Sequence, residues 1–314
     1  MALTVGNKTM EKKLLAYNFP WMGLKEEQYR RVAREYLDWG VDNFVFNCEL
    51  ALECIRNPEK LNFMRKFTKE MGVHFIAMHG LADLGYDLDT TMPDRRPGMV
   101  KDHIRAMEVE AEFGGKTYTV HVGAYHYVHQ HVPVPKLREL AEDTLEQLVP
   151  AAEKLGIVVA VENSFEPPNS AKEVLALVEP LASSPAIGVC YDTGHAQHMA
   201  PYPWKDPKKY AEYMPRCWWE GLVEEADAIE KLQKHVVTTH IHDNSGYADQ
   251  HGMPFDGTIE WDKLMPKIFA CPRMIEYQTE INFSDQPNWA GETLAPKGGY
   301  SIKHQVETFR KLGF

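Results

Sequence analysis

The residues of this 314-residue chain whose chemistry stands out recur in one kind of place, the end of a short apolar run. His79 follows His74–Met78, His121 ends Thr117–His121, Glu162 ends Ile157–Glu162 and Asp192 ends Ile187–Asp192. His240 lies near the end of Val236–Ile241, and Glu280 closes Met274–Glu280. Glu162, Asp192, His240 and Glu280 together are three carboxylates and an imidazole. That donor set suits one borderline-to-hard divalent ion, manganese most naturally, with zinc, cobalt or magnesium as alternatives. Buried acids in such number repel one another without a cation, so a metal is the economical explanation. His195, Asp249 and His251 lie in short segments after two of these runs and extend the set. His242 shares a strand face with His240 by the two-residue period and is expected to point inward.

Each residue also has a plainer role. A strand-end acid often caps the next helix, and a lone histidine is commonly a hydrogen-bonded structural residue. The functional reading rests on six such ends occurring in succession. His126, His129, His131 and His198 read as structural, and Cys190 reads as core packing beside Val189.

These residues need elements that bring them together. With Leu14–Asn18 and Asn43–Asn47 the chain has eight short β-rich runs, each followed by Gly, Pro, Asn or Asp. Helical patterns alternate with them. Glu26–Trp39 places Tyr29, Val32, Ala33 and Tyr36 on one face. Met99–Phe113 and Leu137–Leu155 are followed by Gly114 and Gly156 as C-caps, and Ser170 to Glu173 resembles a capping box. Trp261–Phe269 and Ile302–Leu312 supply the last two. Strict alternation implies parallel strands, and eight repeats at this length predict an α/β chain folded as a single (β/α)8 TIM barrel over residues 1–314. In a closed barrel the strand ends converge on one ring. Three long connections, 80–98, 196–235 and 281–301, rise from that face, the second with a helix around 210–234. Their aromatics Tyr86, Tyr202, Trp204, Trp218, Trp219, Trp289 and Tyr300 are expected to wall a pocket.

Composition narrows the partners. A formal charge of -11 argues against tight binding to nucleic acid. Five cysteines, Cys48, Cys54, Cys190, Cys217 and Cys271, form no Cys-x-x-Cys pair and fit a reducing, cytoplasmic setting. No run approaches the roughly 18 apolar residues of a membrane helix, and residues 1–13 lack the apolar core of a secretion signal. No Gly-x-Gly-x-x-Gly follows the first strand, so no nucleotide cofactor is expected. The outer helices of a barrel leave room for a homo-oligomer.

The motifs Val-Glu-Asn at 161–163, Asp-Thr-Gly-His at 192–195, His-Ile-His-Asp-Asn at 240–244, Asp-Gln-His at 249–251, Gly-Thr-Ile-Glu-Trp at 257–261 and Glu280 resemble those of the xylose isomerase-like barrel proteins. These are sugar phosphate isomerases and epimerases, similar in turn to the endonuclease IV family. The resemblance implies that Glu162, Asp192, His240 and Glu280 hold one divalent ion and that the two glutamates transfer a proton beside a metal-chelated carbonyl of a sugar or polyol. His195, His251 and Glu166 would then contact substrate oxygens. A dehydratase or lyase is a near variant. The endonuclease branch implies instead a zinc phosphodiesterase with His79, His121, His195, Asp249 and His251 as further ligands. Residues 163–168 (Asn-Ser-Phe-Glu-Pro-Pro) and Pro254 to Gly257 depart from the endonuclease pattern. Residues 244–247 lack the Arg of many epimerases acting on free ketohexoses.

Overall fold

The computed structural model describes residues 13–83, 85–206, 208, 218–287 and 293–314. Trp289, Cys217, residues 1–12 and the first part of the helix expected at 210–234 lie outside the described residues.

Eight parallel strands form the barrel: β1 (Leu15–Ala16), β2 (Asn43–Phe46), β3 (His74–His79), β4 (Thr117–Val120), β5 (Val158–Glu162), β6 (Ile187–Asp192), β7 (Val236–Ile241) and β8 (Tyr277–Thr279). Around the sheet β1 lies beside β8, and the order then runs back from β7 to β2. Tyr17 closes the ring by a parallel bridge to Phe44. Its N–H donates to Asn43 O at 2.9 Å, and its carbonyl accepts from Val45 N at 3.1 Å. β6 and β7 are buried at every position, because helices cover the outside while side chains fill the inside. β1 and β8 are shorter than expected, and His121 and Glu280 stand one residue past their strands.

The helices pack as the amphipathic pattern requires. Glu26–Asp38 buries Tyr29, Val32, Ala33 and Tyr36. Two helices begin earlier than their apolar pattern suggests, at Arg96 and Val134, each with a proline in its first turn. Gly114 and Gly156 are left-handed C-caps. A pair of helices without an earlier signal, Cys48–Arg56 and Pro58–Met71, fills the β2–β3 connection. Asn57 separates them, its side chain accepting from Glu59 N and Lys60 N.

Two expectations fail here. Ser170 makes no capping hydrogen bond; Ala171 N donates instead to Glu225 Oε2 at 2.8 Å, and Glu173 pairs with Arg138 at 3.1 Å. A buried carboxylate from a distant loop has taken the cap's place. Beyond the masked stretch, residues 218–227 are not helical and only Ala228–Leu232 is. Trp218 Nε1 donates to Phe165 O, and Glu225 N donates to Met199 O, so this segment is pinned across the barrel loops rather than coiled. No helix of the described residues is long and apolar enough to cross a membrane.

Candidate metal centre

Strand register sets the site's geometry. Asp192 pairs with His240 across β6 and β7, Glu162 pairs with Cys190, and Ile241 pairs with Thr279, one residue before Glu280. The side chains that alternate inward on these strands therefore end at about one level. Asn163 ties two of the ends together: its Nδ2 donates to Asp192 O, and its Oδ1 accepts from Asp192 N. Thr193 Oγ1 donates to His242 O at 2.7 Å and accepts from His242 N at 3.0 Å, tying β6 to the segment after β7. Gly194 leaves the room this needs, since a Cβ there would meet the His242 ring at 2.1 Å.

Four candidate ligands converge. One ligand atom from each of Glu162, Asp192, His240 and Glu280 lies within 4.8 Å of the others. His240 Nδ1 is 3.1 Å from Glu162 Oε2, 3.2 Å from Glu280 Oε2 and 3.9 Å from Asp192 Oδ2. Neither His240 Nδ1 nor Glu280 Oε2 makes a hydrogen bond, although both are buried. Lone pairs and negative charges aimed at one buried point are what a divalent cation satisfies, so these residues fit a metal. Asp192 does double duty, because its Oδ1 also caps the helix Thr193–Met199 by accepting from His195 N at 2.6 Å.

Two further groups flank this one. His79 and His121 share Glu162, with His121 Nε2 at 2.9 Å from Glu162 Oε2. On the other side stand His195, His242, Asp249 and His251. His195 Nδ1 is 3.2 Å from Glu162 Oε1, and His251 Nε2 is 2.9 Å from Asp249 Oδ2. His242 Nε2 sits 3.0 Å from both Asp192 oxygens, and its ring stacks on His251 at 4.0 Å. His251 has φ +49°, a left-handed conformation rare in non-glycine residues. Its Nδ1 lies 3.1 Å from Glu280 O. All nine strand-end and loop residues are thus brought together, and His242 with them.

The electrostatics follow from this crowding. Burial works against charge on these groups; close pairing outweighs it at His121, His251, Glu162 and Glu280, whereas at His79 burial, with His121 beside it, pushes the imidazole down. His121 is raised to about 9 by the Glu162 charge, the Glu162 hydrogen bond and the Asp87 charge. His251 is raised to about 10 by Asp249 and Glu280. Glu162 and Glu280 lie below the usual carboxylate range, held there chiefly by His240 and then by His121 and His251 respectively.

Two cavities open on the centre. The larger, about 590 Å³, is lined by His121, Glu162, Glu166, His195, His251 and Glu280 among others. The smaller, about 340 Å³, reaches His79, His251 and Glu280 from the side of Asn18 and Cys48. Tyr125, Phe165 and Phe283 supply the aromatic lining. The described aromatics expected there are elsewhere. Tyr202 stacks on Trp204, Trp218 packs on Phe165 and Met199, and Trp219 on Tyr127. Tyr86 accepts from Arg56, and Tyr300 bonds Asp256. These rings fasten loops to the barrel. Cys190, read from sequence as packing alone, also lies within 4.8 Å of ligand atoms of Glu162 and His240. The signal for it was the two-residue step from Asp192.

A family model described as xylose isomerase-like TIM barrel matches residues 34–295. An uncharacterized protein of Sinorhizobium fredii is 34% identical over 104 residues, 32% of this chain and 24% of that protein, so the match spans about a quarter of that relative. An uncharacterized protein of Methanocaldococcus jannaschii is 22% identical over 260 residues, 74% of this chain and 79% of that protein. Among solved structures, a D-tagatose 3-epimerase-like protein superposes with TM-score 0.67 at 18% identity, covering 95% of both chains. The 3-keto-D-glucoside 4-epimerase of E. coli gives 0.64 at 16%, covering 96% of this chain and 99% of that one. A xylose isomerase-like barrel of Mycobacterium smegmatis in complex with magnesium gives 0.63 at 12%, covering 96% and 98%.

Proposed function

The chain belongs to the xylose isomerase-like TIM barrel family, and from that premise we propose that it is a divalent-metal-dependent isomerase or epimerase acting on a sugar. The observation that carries this reading is the convergence of Glu162, Asp192, His240 and Glu280 from four strand ends, with two glutamates facing one imidazole nitrogen at 3.1 and 3.2 Å. Sugar epimerases among the structural neighbours support the substrate class.

A bound divalent ion supplies Lewis acidity there, polarising a carbonyl and acidifying the neighbouring C–H. The protein's part is proton transfer. Glu162 and Glu280 come from strands on different sides of the ring, and both border the larger cavity. A bound cation would favour the ionised form of both carboxylates, so either could begin as the base. One carboxylate removes the proton and the other returns it, which inverts the carbon or moves the carbonyl. His195 and His251 present their rings to the same cavity and bind substrate oxygens.

Metal-loaded protein incubated in D2O with a panel of ketopentoses, ketohexoses and keto-glycosides is expected to place deuterium on the carbon next to the carbonyl of its substrate. Glu162→Gln and Glu280→Gln are each expected to slow that exchange at least about 100-fold. Undiminished exchange in both variants would reject the assignment. A second reading, a zinc phosphodiesterase, is favoured by one observation: one flanking group shares Glu162 and the other reaches it through His195 at 3.2 Å, so more than one ion has donors. It requires two or three zinc ions per chain where the first requires one.

A further inference from the structure

We propose that Asp87 is a specificity residue of this site, receiving the hydrogen-bond donors, hydroxyl or amine, of a substrate that carries no phosphate. The proposal rests on the sugar reading above. Asp87 sits on the connection between β3 and the helix Arg96–Phe113, 6% exposed, yet it lines the 590 Å³ cavity beside His121. Its Oδ1 accepts from Asp83 N at 3.1 Å, while Oδ2 has no hydrogen-bond partner among the described residues. An unpaired carboxylate oxygen at the wall of a cavity is an acceptor waiting for a donor.

The surroundings are built to place it. Asp83 carries φ +79°, and its carbonyl accepts from Tyr86 N and Asp87 N, which forms the tight turn that turns Asp87 back toward the cavity. Gly123, opposite, has no positive φ, so glycine is there for space: a Cβ would fall 2.1 Å from Asp87 Oδ2. Gly123 N donates to Asp89 Oδ1 at 2.9 Å, which locks that backbone against the turn. Asp83 and Glu166 border the same cavity, and no lysine or arginine is among its described lining residues. The Asp83, Asp87 and Glu166 side of this cavity favours hydroxyl and ammonium donors over phosphate, while His121, His195 and His251 line it toward the metal centre.

Titration calorimetry on the full-length, manganese-loaded protein tests this with D-fructose, 6-amino-6-deoxy-D-fructose and D-fructose 6-phosphate. The first two are expected to bind at least about 10-fold more tightly than the phosphate. Asp87→Asn keeps the Oδ1 acceptor that holds the turn and is expected to weaken the amine at least about 5-fold while leaving the phosphate no weaker. Gly123→Ala displaces the carboxylate without removing it and is expected to do the same. Tighter binding of the phosphate by the wild type, binding of none of the three, or unchanged affinities in both variants would overturn the role given to Asp87. Preserved binding without C–H exchange would instead overturn the reaction and leave this role standing.

Discussion

Glu162 is the residue on which the site turns: one oxygen faces His121 and His240 at 2.9 and 3.1 Å, the other His195 at 3.2 Å. Without a cation, the histidines neutralise the acids by holding protons, and this predicts a pH response. His121 at about 9 and His251 at about 10 lie above the ordinary histidine value of about 6.5. Their contribution to stability is complete below about pH 6.5 and is lost as pH rises through 9 to 10. Metal-free protein is therefore expected to melt at lower temperature at pH 10 than at pH 7, while metal-loaded protein, in which the cation takes over the neutralising of Glu162 and Glu280 from the protons on His121 and His251, changes less. Parallel pH profiles of Tm with and without metal would contradict this. At this scale the strand-end residues that converge were legible because position alone marks them. Cys190 was not, since it packs with Ala160 and Val237 while also facing Glu162 and His240. Asp87 was not either, because its meaning depends on a turn and on the space left at Gly123.

Among elements, the helix Thr193–Met199 carries His195 into the centre and is fixed at both ends. Asp192 caps its start, and the buried Lys205 amine donates to Gln197 O, His198 O and Ala200 O at 3.1, 2.8 and 2.8 Å. Lys205→Met is expected to cost about 2 kcal/mol, because charged hydrogen bonds to three carbonyls are lost together. A denaturant titration showing less than about 0.5 kcal/mol would contradict this anchoring role. The sequence pattern located the long amphipathic helices, whose buried face repeats every turn. It did not reveal the helices at Cys48–Arg56 and Pro58–Met71, nor that Glu225 replaces Ser170 as a cap. Loop aromatics were read as pocket walls from their place in the chain, but a ring's direction is set by tertiary contacts such as Trp218 on Phe165.

For the whole molecule, barrel closure gathers residues separated by as many as 201 positions, from His79 to Glu280, around one point. Alternation of strand and helix foretold that convergence; closure through Tyr17 and the exact level of each strand end required the structure. In the function proposed above, this ring holds one divalent ion through Glu162, Asp192, His240 and Glu280. Elemental analysis of protein purified without chelator or added metal tests it most directly, comparing the wild type with His240→Ala. About one ion per chain is expected in the wild type, and none in the variant. No bound metal, an unchanged content in His240→Ala, or two to three zinc ions per chain would contradict it.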